Sequence, residues 1–246
     1  MATTPVPVPE QEAPIGLIGR LTGAIFSPKP TFTDIARRPS WAAPFFLLCA
    51  MSLFVGALLG QKTDWRSFFE RQMSNSSRFD QMSQDQKDRI LDSQVKYAPK
   101  ISFAFGVVGA ALVVLLAALV YWGAFNLFNG ADLDFGTAFG ITSHAFVPSI
   151  IASVLAIVIL LIKARGDVDP EHFLASNVAA FLPDGSPHWL DVLGQSLEIF
   201  WMWSLALVAI GFAAAKPKKI KAGPALLTVF GIWGIWVLGK VAWAAL

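Results

Sequence analysis

Few residues inside the long apolar runs of this 246-residue chain could carry chemistry, and His144 is the first of them. It follows Thr142 and Ser143 and stands 18 residues before Ile162, the last apolar residue of its run. At 1.5 Å per residue, that spacing places His144 about 27 Å from that end, near the opposite interface of a spanning helix. An imidazole there is either hydrogen-bonded as an interfacial histidine or serves as a ligand or proton carrier.

Glu198 and Lys240 are the only charges well inside the fourth and fifth apolar runs. Lys219, in the short turn between these runs, stands 21 residues from each of them. In two antiparallel helices joined at that turn, equal rise brings both charges to the same depth, near the outer interface. We therefore expect an ion pair, direct or through water, which fixes the register of the two helices. Separate extension of both side chains to solvent is the alternative.

Two carboxylate-rich segments have metal-ligand residue types without a metal-site pattern. The longer one comprises Asp167, Asp169, Glu171 and His172. Pro170 splits it, and it lacks the central glycine of a calcium-binding loop, so we expect an ordinary solvated loop. Asp132 and Asp134 lie between two apolar runs, where a turn is expected. The sequence therefore predicts no metal site, no cofactor and no catalytic residues.

The composition indicates which solvent surrounds the elements that hold these residues. Apolar residues make up 55% of the chain and charged residues 15%, against about 25% charged in a typical soluble domain. A soluble core of this size could not bury that excess, so the composition indicates a membrane protein. The net charge of +2 excludes a large nucleic-acid surface, and the single cysteine, Cys49, excludes a disulfide framework.

Five charge-poor runs predict an all-α, polytopic membrane bundle with five transmembrane helices. Each run reaches the roughly 20 residues that cross about 30 Å of hydrocarbon, where only a helix satisfies its own backbone. The predicted spans are residues 41–60, 101–128, 135–162, 192–215 and 225–246. They form one membrane domain, 41–246, interrupted by a polar loop at 61–100.

The polar segments predict short amphipathic helices at the membrane surface. Residues 1–14 form a proline-rich tail that we expect to be disordered or extended. Residues 15–40 are predicted to form interfacial helices, the first either lying at the interface or packing against the spans. A capping box of Thr31 and Asp34 is predicted to begin the second of these helices. The loop at 61–100 is expected to form a helical hairpin on the membrane surface, with a capping box at Ser83 and Gln86.

Basic residues set the expected orientation. The turn between the fourth and fifth runs carries Lys216, Lys218, Lys219 and Lys221. This turn and the basic residues of 15–40 favour a cytoplasmic N-terminus, although the first loop carries eight basic residues and opposes that assignment. On the cytoplasmic side, the lysine turn is expected to contact anionic lipid.

Two stretches resemble a known family. The sequence FSPKPTFTDIARRPSW at residues 26–41, which leads into a proline-containing span, is similar to the Yip family of Ypt/Rab-interacting membrane proteins, and especially to its bacterial relatives. Residues 125–158, with an asparagine-bearing helix end and a central proline, match as well. The resemblance implies five spans and a cytosolic N-terminus. Eukaryotic members bind Rab-type GTPases, but their Asp-Leu-Tyr-Gly-Pro stretch is absent here, and the family offers no catalytic residues.

These observations favour a non-enzymatic scaffold or membrane-organising factor of the bacterial inner membrane. Its expected partners are membrane lipids and other membrane proteins, with no nucleic acid. The glycine pairs Gly56–Gly60 and Gly136–Gly140 predict close helix packing within the bundle, with homodimerisation as the alternative. A small-solute transporter or channel subunit is the competing function, although no inverted repeat is visible.

Overall fold

A computed structural model describes residues 13–74, 79, 81–171, 173–183 and 185–245. Within these residues the fold is all-helical, with ten α-helices and one 3-10 helix at Val178–Phe181. The α-helices are α1 Leu17–Phe26, α2 Pro28–Arg37, α3 Ala42–Lys62, α4 Trp65–Ser74, α5 Gln84–Asn129, α6 Phe135–Ala145, α7 Pro148–Ile162, α8 His188–Ser196, α9 Ile199–Ala215 and α10 Ala222–Ala244. The predicted tail, residues 1–14, lies almost wholly outside the described residues.

The long helices expose an apolar surface that identifies lipid as their solvent. Phe105 on α5 is 66% exposed, and Leu227 and Trp236 on α10 are 76% and 70% exposed. Such an apolar surface is unfavourable in water and is favourable in contact with the hydrocarbon of a bilayer. Helices α3, α5 and α10 are long and apolar enough to cross a membrane, and α6 with α7 form a fourth candidate bent by 40°.

The predicted count of five spans is therefore slightly above what helix length and composition support in the described residues, which is three or, with the bent pair, four. The difference arises at 192–215, which is divided between α8 and α9. Glu198 is the N-cap of α9, and its carboxylate accepts the N–H groups of Phe200 and Trp201. Glu198, the charged residue within the predicted fourth span, therefore caps the start of a new helix, and α9 has only 17 residues.

Helix α5 joins the second half of the polar loop to the second span. It runs unbroken for 46 residues, through Pro99, so the helix does not break at the predicted boundary between loop and span at residue 100. Its start is confirmed, because Ser83 and Gln86 form the expected capping box. Helix α4 packs against α5, and Arg66 pairs with Asp92.

Glycines let α3 and α5 approach closely, as predicted for packing within the bundle. A Cβ on Gly56 would lie 2.7 Å from the Cα of Gly106 and 2.7 Å from the carbonyl oxygen of Ser102. The Ser102 hydroxyl donates to the Gly56 carbonyl at 2.9 Å. A Cβ on Gly60 would lie 3.1 Å from the Pro99 carbonyl oxygen. The packing interpretation is confirmed for this pair of glycines.

The bundle has two polar ends. The basic end comprises α1, α2 and the turns at 130–134 and 216–221, and there the Thr228 hydroxyl bonds the Asn129 side chain at 3.1 Å. The loop end comprises α4, residues 163–187 and α8, and there Lys62 donates to the Lys163 carbonyl at 3.0 Å. Between the ends lies a core in which Phe125 of α5 stacks on Phe212 of α9 at 4.2 Å.

Candidate functional site

Helix α2 is inserted into the basic end of the bundle. Its inward residues Phe32 and Ile35 are fully buried, and α2 packs against α6 and α9. A Cβ on Gly211 of α9 would lie 3.1 Å from the Phe32 ring, and one on Gly140 of α6 would lie 3.0 Å from the Ser40 carbonyl oxygen. Glycines on α6 and α9 therefore make room for α2 and the residues that follow it, which are part of the packed bundle.

A buried ion pair joins α1 to α2. Arg20 donates from Nε and Nη2 to Asp34 Oδ2 at 2.8 Å each, and its side chain is only 9% exposed. Its Nη1 also donates to the Arg38 carbonyl at 3.0 Å and to the Ser40 hydroxyl at 2.5 Å. A guanidinium with this many acceptors holds both helices and the following chain in one geometry.

The predicted capping box of Thr31 and Asp34 is wrong. Helix α2 begins three residues earlier, at Pro28, and its N-cap Ser27 makes no side-chain capping bond. The Thr31 hydroxyl donates to the Ser27 carbonyl at 2.8 Å, while Asp34 is engaged by Arg20. Proline at the first helical position starts the helix because its missing N–H needs no partner there.

Cations face outward around this packed segment. Lys29 and Arg37 of α2 and the C-cap residue Arg38 are exposed. In the lysine turn, Lys218, Lys219 and Lys221 are exposed, whereas Lys216 is half-buried. Ile220 is 2% exposed and anchors the turn in the core. The basic end therefore presents two groups of cations on a rigid support.

Exposed apolar side chains of α1 accompany these cations. Leu17 is 59% exposed, Ile18 75% and Phe26 81%. The buried residues of the same helix are Arg20 and Ala24, which face the bundle. A helix with one packed side and one exposed apolar side, next to outward cations, is typical of a segment at a membrane interface.

His144 is enclosed in the core at the junction of α6 and α7. Its side chain is 2% exposed, and Nδ1 is 2.9 Å from the Gly140 carbonyl oxygen one turn earlier. Thr142 is bonded in the same way, since its hydroxyl donates to the Ala138 carbonyl at 2.9 Å. The arrangement fits the hydrogen-bonded interpretation of His144, whose side chain is buried within protein, and its depth near an interface stays a prediction.

Glu198 and Lys240 are brought to the same end without a direct ion pair. The Glu198 carboxylate accepts two backbone N–H bonds, and Lys240 Nζ donates to the Ser196 hydroxyl at 3.3 Å. The two charges therefore lie at similar depth, as equal helix rise requires. The direct form of the predicted pair is absent because the N-cap role uses the carboxylate, and the water-bridged form stays a prediction.

The remaining acidic candidates organise loops. Asp134 caps α6, accepting the Thr137 hydroxyl at 2.6 Å and the Thr137 N–H at 2.9 Å. These bonds, the hydroxyl first, hold the pKa of Asp134 below its usual value of 3.8. Asp132 takes a positive φ of 51° in the same turn. Asp169 accepts the Glu171 N–H at 2.9 Å, and His172 lies outside the described residues.

The Arg20–Asp34 pair is the residue set that sequence analysis missed. The two residues are 14 positions apart, and no spacing rule connects them. The usable signal is that Arg20 is the lone charge among the apolar residues at 15–26. A charge on a side of a helix that packs requires a partner, and Asp34 is the first acidic residue that follows Arg20 in the chain.

The chain matches the Yip1 domain over residues 22–244, from within α1 to the end of α10. It belongs to the Yip1 domain family. It is 25% identical over 213 residues to the membrane protein YknW of Bacillus subtilis (strain 168), which covers 86% of this chain and 85% of that protein. No solved structure matches it. The Yip1 assignment, the relative and the exposed apolar helices establish a multi-pass integral membrane protein.

The Yip1 match also bears on the packed segment. Helix α2, the lysine turn and all the candidate spans fall inside the matched range, so the basic end is part of the Yip1 domain and not an appendage to it. Arg20 lies two residues before the match begins, on the same helix.

Proposed function

We propose that this Yip1 protein is a non-enzymatic membrane-organising scaffold of the bacterial inner membrane that binds partners at its basic end. The observation that carries the proposal is the packed α1–α2 segment, held by the Arg20–Asp34 pair and by buried Phe32. Because this segment is fixed to the spans, its outward cations and apolar side chains form a preorganised surface. Preorganisation reduces the entropic cost of binding.

The chemical groups inside the bundle support a structural role. His144 and Thr142 are bonded to carbonyl groups of their own helix, and so is Ser204, whose hydroxyl donates to the Phe200 carbonyl at 2.9 Å. Glu198 is a helix cap. Each of these groups serves the helix to which it belongs, and none is presented together with another at a cleft.

We further propose that the basic end faces the cytoplasm and that the lysine turn contacts anionic lipid. The basic end carries eight Lys or Arg residues and three acidic ones between residues 13 and 41 and in its two turns. Basic excess in short cytoplasmic segments is the general rule. Each lysine close to an anionic leaflet contributes roughly 1 kcal/mol at low salt.

Orientation is tested by labelling single cysteines with an impermeant thiol reagent in intact cells. The background is Cys49→Ser, the test variant adds Lys218→Cys, and the matched control adds Arg165→Cys at the loop end. We expect Arg165→Cys to react in intact cells and Lys218→Cys to react only after permeabilisation. Reaction of Lys218→Cys in intact cells would overturn the proposed orientation.

The scaffold role is tested by photo-cross-linking in native membranes. A photoreactive residue at Lys219 is compared with one at Lys163 of the loop end. Discrete cross-linked protein species from position 219 that disappear in the Arg20→Met background support a binding surface built by the packed segment. Equal cross-linking in that background, or solute flux through proteoliposomes above the protein-free level, contradicts the proposal.

A further inference from the structure

A cavity of about 330 Å³ lies among α3, α5 and α7, within the apolar part of the bundle. Ser52 of α3 and Ser149 of α7 line it, and its aromatic wall includes Phe146 and Trp201, whose ring centroids are 5.2 Å apart. A cavity of about 150 Å³ accommodates a benzene ring. The cavity is therefore large enough for a substituted six-membered ring, but too small for a further helix, which is about 10 Å wide.

The cavity is continuous with the lipid-facing surface of the bundle. Val113 of α5 lines it and is 41% exposed, next to Leu112, which is 49% exposed. The lining residues that come from the loop end, Phe173 and Leu174, are apolar as well. A ligand consequently reaches the cavity sideways from the bilayer, so it must itself be soluble in lipid.

Ser52 places a hydroxyl at the middle of a candidate span. It stands ten residues from each end of α3, Ala42–Lys62, which is about 15 Å from each end. In a hydrocarbon layer about 30 Å thick, this is the depth of the bilayer centre. The charged phosphate of a phospholipid holds the neighbouring ester carbonyls near the interface, because charge is costly at the centre, whereas a neutral head is able to reach this depth.

Several hydrogen-bond donors around the cavity are uncommitted. The hydroxyls of Ser52 and Ser149 have no acceptor among the described residues, and the indole N–H of Trp201 has none in this part of the chain either. Ser153, one turn after Ser149, instead donates to the Ser149 carbonyl at 2.8 Å. Because a donor that is shielded from water requires an acceptor, the cavity is complementary to a ligand that brings carbonyl oxygens.

We propose that this cavity binds the head of a neutral membrane lipid that carries carbonyl acceptors, and that the lipid is a quinone. A quinone head is a flat six-membered ring with two carbonyl oxygens, so it matches the volume, the aromatic wall and the serine donors together. Its hydrocarbon tail extends past Val113 into the bilayer. The inference goes beyond the scaffold role and depends on neither a partner protein nor the orientation in the membrane.

The test titrates the full-length protein in neutral detergent with decylubiquinone and counts bound ligand by native mass spectrometry. The test variant is Ser52→Ala/Ser149→Ala, and the matched control is Ser153→Ala, which removes a cavity hydroxyl that is already bonded. A second pair adds a ring inside the cavity with Ala152→Phe and on the lipid-facing side of the same helix with Leu155→Phe. Thermal unfolding checks that each variant remains folded, and the serine variants decide the test if a phenylalanine variant does not.

We expect one decylubiquinone to bind per chain. The loss of two hydrogen bonds should weaken binding about tenfold in Ser52→Ala/Ser149→Ala, and Ser153→Ala should weaken it by less than about threefold. Ala152→Phe should abolish binding, and Leu155→Phe should leave it unchanged. Equal affinity of the double serine variant and wild type, or undiminished binding by folded Ala152→Phe, would overturn the site.

Two other ligands separate a quinone from hydrocarbon and from an ordinary phospholipid. Decylbenzene has a ring and the same tail but no acceptor, so it should bind about tenfold more weakly than decylubiquinone. Phosphatidylcholine should not compete, because its carbonyls are held near the interface. Equal binding of decylbenzene would show a general hydrocarbon site, and competition by phosphatidylcholine at equal concentration would show a phospholipid site. Either result would overturn the quinone assignment.

Discussion

Removing the guanidinium of Arg20 should release α1 and α2 from the bundle. Arg20→Met keeps the length and helix propensity of the side chain but removes every donor to Asp34, the Arg38 carbonyl and Ser40. The side chains of Arg20 and Asp34 are 9% and 15% exposed, so the substitution leaves a largely buried carboxylate without its cation. Breaking a buried pair from one side costs about 3–5 kcal/mol.

The expected size of the effect is near the lower bound, because Asp34 keeps some access to water. About 3 kcal/mol corresponds to roughly a hundredfold increase in the population of the detached state. Amide hydrogen exchange in detergent micelles measures this population locally. We expect the amides of α1 and α2 to exchange about a hundredfold faster in Arg20→Met, with α5 unchanged.

Two further variants separate the pair from general damage. Arg20→Met/Asp34→Leu removes both charges and should recover most of the protection, since an apolar pair of similar volume replaces the ion pair at little cost. Arg38→Gln removes an exposed cation from the same end and should leave exchange near wild type. If Arg20→Met exchanges within about threefold of wild type, the pair does not hold the segment, and the reasoning fails.

Three other substitutions test the packing and the helix caps. Gly56→Ala should lower the free energy of unfolding by about 1–3 kcal/mol, because its Cβ would lie 2.7 Å from the backbone of α5. The matched control Gly123→Ala should be neutral or stabilising in thermal unfolding, because a Cβ there would meet nothing within 4 Å beyond the neighbouring backbone of its own helix. Folding lowers the pKa of Asp134, so the stabilisation by its carboxylate is complete above the usual value of 3.8 and is lost as the pH falls through the folded pKa. Asp134→Asn should therefore flatten the acid dependence of the melting temperature. Glu198→Ala removes the cap of α9 and should destabilise by about 1 kcal/mol, with Glu198→Asp as the conservative control.

Each of these expectations has a clear contrary result. Equal melting temperatures for Gly56→Ala and Gly123→Ala would show that α3 and α5 do not meet at this glycine. An acid limb of the same steepness in Asp134→Asn would assign the pH dependence to other carboxylates. If Glu198→Ala destabilises the wild type but not a Lys240→Ala background, the stabilisation comes from the water-bridged ion pair and not from the cap.

The membrane class and most apolar helices were predictable because each run satisfies its backbone only as a helix in lipid. The capping box at Ser83 and the glycine spacing at Gly56 were predictable because each pattern is local, formed by a few residues along one helix, although the partner of Gly56 on α5 was not visible in it. The end of a helix was less predictable. The sequence changes from polar to apolar residues at 100, but α5 continues through this change because its backbone hydrogen bonds lie within the helix and do not depend on the solvent.

The basic end was only partly predictable, because its geometry depends on contacts between distant residues. The cations and the amphipathic pattern of 15–26 are visible in the sequence, but the pairing of Arg20 with Asp34 and the insertion of Phe32 beside Gly211 are tertiary facts. The role of Glu198 was also only partly predictable from the sequence. Its charge was visible, but its use as a helix cap depended on where α8 ends.

The long helix α5 joins the two polar ends of the bundle in one continuous element. Its 46 residues measure about 69 Å, far more than the roughly 30 Å of hydrocarbon. The tight crossing at Gly106 lies 22 residues from Gln84 and 23 from Asn129, so it divides the helix into arms of about 33 and 35 Å. Asn129 accepts a hydrogen bond from the Thr228 hydroxyl of α10, so one continuous helix connects the polar loop at one end of the bundle to a contact with α10 at the other end.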